Sequence, residues 1–162
     1  MGIKINFDSG IKEYDVNGST LRMNPSDPNL YARFFEAQDR LEAIEAELVE
    51  RGKTIRQPAE GAPQEETIES GRQIIMLMKD ADGKVKALLN AVFPGNDFDE
   101  ILAGVNTMAV GDNGERVITN LFNALVPIIE EGARAYAEDK GNAAVLTAKA
   151  NRAQRRAAAK RK

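Results

Sequence analysis

The chain has 162 residues, 43% of them hydrophobic and 29% charged, the balance of one soluble globular domain. It contains no cysteine, histidine or tryptophan, which excludes thiol chemistry, disulfides, imidazole acid–base catalysis and nearly every zinc or haem site. The formal net charge of −3 hides an asymmetry: seven bases and no acid lie from Gly141 onward, leaving 15 bases against 25 acids before it.

No run approaches the ~18 apolar residues of a membrane span, and the opening MGIKINF has no signal-peptide core. With no disulfides to form, the expected compartment is the cytoplasm. An enzyme would have to work with carboxylates, Lys, Ser or Tyr alone, so a non-catalytic role is expected.

In chain order, residues 3–7 (IKINF) alternate apolar and polar as a half-buried strand does. Asn17-Gly18 is a strong hairpin signal between 12–16 and 19–23, because both turn positions favour positive φ. Residues 1–23 therefore read as a β unit of two or three strands that has to pack on helices to be stable.

Asn24-Pro25 and Asp27-Pro28 hold the chain out of the helical region just before a helix. Ser26 or Asp27 can cap it, with Pro28 at its first position. Leu30, Phe34, Ala37, Leu41, Ile44 and Leu48 then recur at spacings of four and three, predicting a helix over 28–51 with one apolar stripe. Residues 53–63, with two prolines and a glycine, read as a slack connector.

A second helix is predicted over 64–93, its stripe formed by Ile68, Ile75, Met78, Val85, Leu88 and Val92 and widened by Ile74, Leu77 and Leu89. Asp80-Ala81-Asp82-Gly83 interrupts that pattern and is expected to bend it. A short helix over 97–103 starts at the cap Asp97. A helix over 113–138 begins near Asp112 or Asn113 and kinks at Pro127. The last residues, 141–162, are Ala-rich and basic with little to bury, so a partly ordered helix or a disordered tail is expected. The fold class is thus mainly α: three main helices in a bundle, a small N-terminal β-hairpin, and a basic C-terminal tail, with 1–140 as one domain.

Candidate sites are few. Neither Asp80–Gly83 nor Gly111–Gly114 fits a calcium loop, since the positions that need carboxylates hold Met78 and Leu89, or Ala109 and Asn120. The pairs Glu65/Glu66 and Glu130/Glu131 suit solvated helix ends. No catalytic, metal or cofactor residues are assigned, and no cofactor is expected. Candidate partner-binding residues are Leu30, Phe34, Phe35, Leu41, Met76 and Met78, apolar side chains on the two long helices, although each also suits a core. The two stripes suit an intrachain helix hairpin better than a coiled coil between chains.

The basic tail consists of Lys149, Arg152, Arg155, Arg156, Lys160, Arg161 and Lys162. No aromatic residues interleave it for base stacking and no groove-reading helix precedes it, so protein contact or solvation ranks above nucleic acid.

Three blocks carry a resemblance: NPSDPNLYARFFEAQDRL, FDEILAGVNTMAVGDNGERVITNLFNALVPIIEE and the basic NRAQRRAAAKRK end. Together with the β N-terminus they cover about half of the chain. The layout resembles the tail assembly chaperones of long-tailed, siphovirus-type phages and prophages of Gram-positive bacteria. The shared features are packing and capping residues, not a catalytic signature.

The resemblance implies a non-catalytic protein of the host cytoplasm. It would bind the tape-measure protein and help recruit major tail protein during tail-tube assembly; apart from the resemblance, the exposed remainder of the apolar stripes leaves room for self-association. A structural tail or head–tail component of the virion is the alternative, and a basic-tailed nucleic-acid adaptor ranks below both. A membrane partner is not expected.

Overall fold

Asn17 and Gly18 both take left-handed backbone conformations, with φ of 52° and 89°. They fold β1 (Lys12–Val16) back on β2 (Ser19–Met23) as an antiparallel pair in which Tyr14 faces Leu21 and Lys12 faces Met23. A computed structural model describes residues 1–160, and for residues 139–147 the course of the backbone only. Leu21 and Met23 are buried, and Tyr14 and Val16 pack against the same core.

Residues 3–7, expected as a strand, belong to no element, and Ile3, Ile5 and Phe7 are 93%, 81% and 82% exposed. Alternation fits them for a sheet. A strand also needs a neighbouring edge to take its backbone groups, and among the described residues these five pair with none, the sheet holding β1 and β2 alone.

The helix α1 (Pro28–Lys53) begins where the sequence places it. Asp27 is extended, its carboxylate accepts from the amide of Asn29 at 2.9 Å, and Pro28 follows. Asn24 closes the preceding turn by accepting from the amide of Ser26 at 2.8 Å. The helix α2 (Gln64–Val92) returns antiparallel to α1. Arg33 Nε donates to the carbonyl of Val92 at one end, and Arg51 pairs with Asp80 at 2.5 Å near the other.

At Asp80–Gly83, where a bend was expected, α2 runs on without a break. Tertiary contacts outweigh the ~1 kcal/mol that a glycine costs a helix. Asp80 bridges Arg51 and Lys84, and Asp82 faces inward to partners described below. The 54–63 connector is also tied down: Ile55 packs on the core and Ser70 Oγ donates to the carbonyl of Arg56 at 3.1 Å.

Asp97 caps the short α3 (Phe98–Ile101), accepting from the amide of Asp99 at 3.0 Å. The next helix, α4 (Val117–Ala135), starts four residues later than expected. Asp112 and Asn113 lie in a loop that pairs with itself instead: Val110 bridges Arg116, and the amide of Gly111 donates to Glu115. Asn113 serves that loop through reciprocal side-chain bonds with Asn120.

Ile118, Leu121, Leu125 and Ile129 are the buried stripe of α4, which continues through Pro127. A π-helical turn, Tyr136–Gly141, then leads into α5 (Asn142–Lys160). The 141–162 tail, expected to be partly ordered or disordered, is therefore helical to Lys160. Its alanines, the best helix formers, explain how this is possible with little to bury.

The chain is thus mainly helical, with one small antiparallel hairpin at its N-terminal side. Its core joins α1, α2, α3, α4 and β2 through Phe34, Leu89, Phe93, Phe98, Ile118 and Leu21. Phe34 lies on Phe122 and Phe93 on Phe98, with ring centroids 5.3 and 5.5 Å apart. Gly132 of α4 sits directly against the carbonyl of the buried Pro25, so the end of α4 closes over the β2–α1 junction. Among the described residues, no helix is long and apolar enough to cross a membrane.

Candidate partner-binding surface

The six apolar residues expected to meet a partner do not form one patch. Leu30 and Phe34 are 2% and 4% exposed and belong to the core. Leu41 and Met78 are half-buried against it. This corrects their assignment: one α-helical stripe cannot both face α2 and α4 and remain open to a partner.

Phe35 and Met76 are the two that stand in solvent, at 64% and 57%. They lie at opposite ends of the α1–α2 hairpin. With Arg51 opposite Asp80, helical rise puts them roughly 30 Å apart along its axis.

The stronger candidate surface is the first half of α2. Because Arg51, near the end of α1, is level with Asp80, the turns of α2 before Asp80 overhang α1 by roughly 24 Å. The 54–63 connector runs beside this overhang, held at Ser70, and Asn106 reaches its last turn at the carbonyl of Met78. Ile68, Ile74, Ile75 and Met76 remain exposed there. From Met76 a shallow groove of about 510 Å³ continues over Lys79, Asp80, Gly83, Lys84 and Ala87. Adaptable Met, small Gly83 and Ala87, and flanking charges make a face that a second amphipathic helix can lie along.

The sequence placed Ile68, Ile74 and Ile75 in the buried stripe of the second helix. The buried residues are Ser70, Leu77, Ala81, Val85, Lys86, Leu89 and Val92, so Leu77, Val85, Leu89 and Val92 of the expected stripe are buried and the three isoleucines are not. The Leu77–Ala81–Val85–Leu89 run stays apolar throughout.

The basic residues of the C-terminal helix form a second exposed surface. Lys149, Arg152, Arg156 and Lys160 share one face of α5 with Ala153 and Ala157 between them, lining an open groove of about 530 Å³. Arg155 is exposed elsewhere on the same helix. Arg161 and Lys162 lie outside the described residues.

Several ionisable groups of the body are engaged structurally. Lys86, a buried residue of α2, reaches Asp99 at 2.7 Å and Asp82 at 2.9 Å. Burial works against its charge, yet the two carboxylates hold its pKa above the ordinary lysine value. For Asp82, burial pushes upward and is outweighed by bonds from the Thr107 amide, Lys86 and the Thr107 hydroxyl, which keep its carboxyl below the usual range.

On the surface, the hydrogen bond and charge of Lys84 lower Glu47, and those of Arg51 and Lys84 lower Asp80. Among the described residues, no group of three or more metal-ligating side chains comes together. No protein-family model, curated protein or solved structure matches this chain.

Proposed function

We propose that this protein is a tail assembly chaperone of a long-tailed phage or prophage. In this reading it binds the helical tape-measure protein in the host cytoplasm, keeps it soluble, and helps bring major tail protein to the growing tube. The sequence blocks that resemble that family support the reading. The observation that carries it is the overhang of α2, where Ile68, Ile75 and Met76 are exposed together.

Magnitudes favour a reversible contact. Covering such side chains contributes about 1.5–3 kcal/mol each, against an association cost of about 4–15 kcal/mol. One overhang therefore holds one amphipathic segment weakly. A long tape measure with many such segments gains by binding many copies, and each copy can leave as the tube takes its place. The basic face of α5 adds long-range attraction to an acidic partner.

Co-expression with the tape-measure protein of the same phage or prophage tests the reading. A soluble complex is expected, and a tape measure equally insoluble with and without the chain overturns it.

A further inference from the structure

We infer that residues 3–7 are a donor strand that completes the free edge of β1 in a second copy of this chain. Self-association of this kind does not depend on the chaperone reading and can be tested on the isolated protein. Ile3, Ile5 and Phe7 alternate with Lys4 and Asn6, a strand pattern, and all three apolar side chains stand in solvent.

The root of this arm is fixed, so the arm has a direction. Gly10, at φ 69°, makes a left-handed turn, and its amide donates to Asp8 at 2.8 Å. Asn24 Nδ2 donates to the carbonyl of Ser9 at 3.0 Å. A Cβ on Gly10 would lie 2.7 Å from that same nitrogen and would be strained at this φ, so glycine favours the approach.

The two edges of the hairpin differ. In a hairpin closed by two residues, the Val16–Ser19, Tyr14–Leu21 and Lys12–Met23 pairs bond across the ladder. Glu13 and Asp15 of β1, with Thr20 and Arg22 of β2, then turn their backbone groups outward. Asn96 closes the β2 edge: its Oδ1 accepts from the amide of Arg22 at 2.8 Å and its Nδ2 donates to the carbonyl at 2.9 Å. Among the described residues, nothing takes up the outward groups of Glu13 and Asp15.

An open edge and an unpaired strand in one chain are complementary. Charge selects the orientation of the faces. With Ile3, Ile5 and Phe7 extending the Tyr14–Val16 side toward the core, Lys4 stands on the solvent side beside Glu13 and Asp15. Opposite charges there stabilise a strand pair. In a two-fold dimer each arm meets the other copy's edge, so every contact is made twice.

The full chain at about 100 µM should sediment as a dimer, and Ile5→Pro, which removes a ladder donor on an exposed segment, should weaken association at least tenfold. At concentrations low enough for both proteins to be monomeric, its circular dichroism and melting temperature should match the parent's. Because the chain lacks cysteine, mixing Lys4→Cys protein with Glu13→Cys or Asp15→Cys protein should give an intermolecular disulfide on oxidation with one of the two. A chain that stays monomeric, a dimer untouched by Ile5→Pro, or no cross-link with either partner overturns the inference.

Discussion

The amide and the hydroxyl of Thr107 both donate to Oδ1 of Asp82, at 2.7 and 2.8 Å, joining a fully buried loop residue to the middle of α2. Nearby, Asn106 Nδ2 donates to the carbonyl of Met78, and the carbonyl of Thr107 accepts from the amide of Ile118. The start of α4 is therefore positioned through Thr107 by a single carboxylate of α2. The acidic stretch that looked like a break in the helix is what anchors the following loop to it.

Asp82→Asn keeps the shape but loses the charge opposite Lys86. It should cost about 1–3 kcal/mol near neutral pH. The folded-state pKa of Asp82 lies below 3.8, so its contribution is complete above that value and is lost as pH falls through the lower folded value. Urea unfolding across a pH series should show a shallower loss of stability below about pH 4 in the variant than in the parent. Equal slopes would remove Asp82 from the account of acid unfolding.

Lys86→Met tests the same network from the cation. Asp99 is 68% exposed at its side chain and can turn to water, whereas Asp82 cannot do so freely. The expected loss is thus about 1–3 kcal/mol, below the 3–5 kcal/mol of a fully buried broken pair. The raised pKa of Lys86 means its contribution is present below 10.5 and fades as pH rises through the higher folded value. Alkaline unfolding of the parent above that point should be steeper than that of the variant.

Gly132→Ala should destabilise the fold by about 1–3 kcal/mol, the usual cost of overpacking. A methyl group at this position overlaps the Pro25 carbonyl, which also accepts from the Tyr31 hydroxyl at 2.6 Å. The cost should appear in thermal melts as a lower midpoint. Gly83→Ala, on the open face of α2, should instead leave the midpoint unchanged or raise it.

Phe34 and Phe35 are neighbours with opposite roles. Phe34→Ala opens a hole beside Phe122 and should cost about 3–5 kcal/mol. Phe35→Ala, in solvent, should change stability by about 0.5 kcal/mol or less. Chemical denaturation of both variants separates the two.

Local chemistry was legible in the sequence. Asn17-Gly18, Asp27-Pro28 and Asp97 set the hairpin turn and two helix starts through bonds spanning a few residues. What depended on distant partners was hidden. Asp82 finds Thr107 and Asn96 finds Arg22 only once the helices are placed. The exposed surface was half legible for the same reason. Apolar residues occupy two phases of α2, and only packing against α1 decides that Leu77 is buried while Ile75 is not. Adjacent Phe34 and Phe35 pose the same ambiguity, because a helix turns about 100° between them.

The most direct test of the proposed function is the solubility of the tape-measure protein co-expressed with this chain or with its Ile75→Asp/Met76→Asp variant. Both substitutions lie on the exposed overhang and should leave the melting temperature of the isolated chain unchanged. The proposal predicts soluble complex with the intact chain and insoluble tape measure with the variant. Equal recovery of soluble complex with both would contradict binding through the overhang of α2.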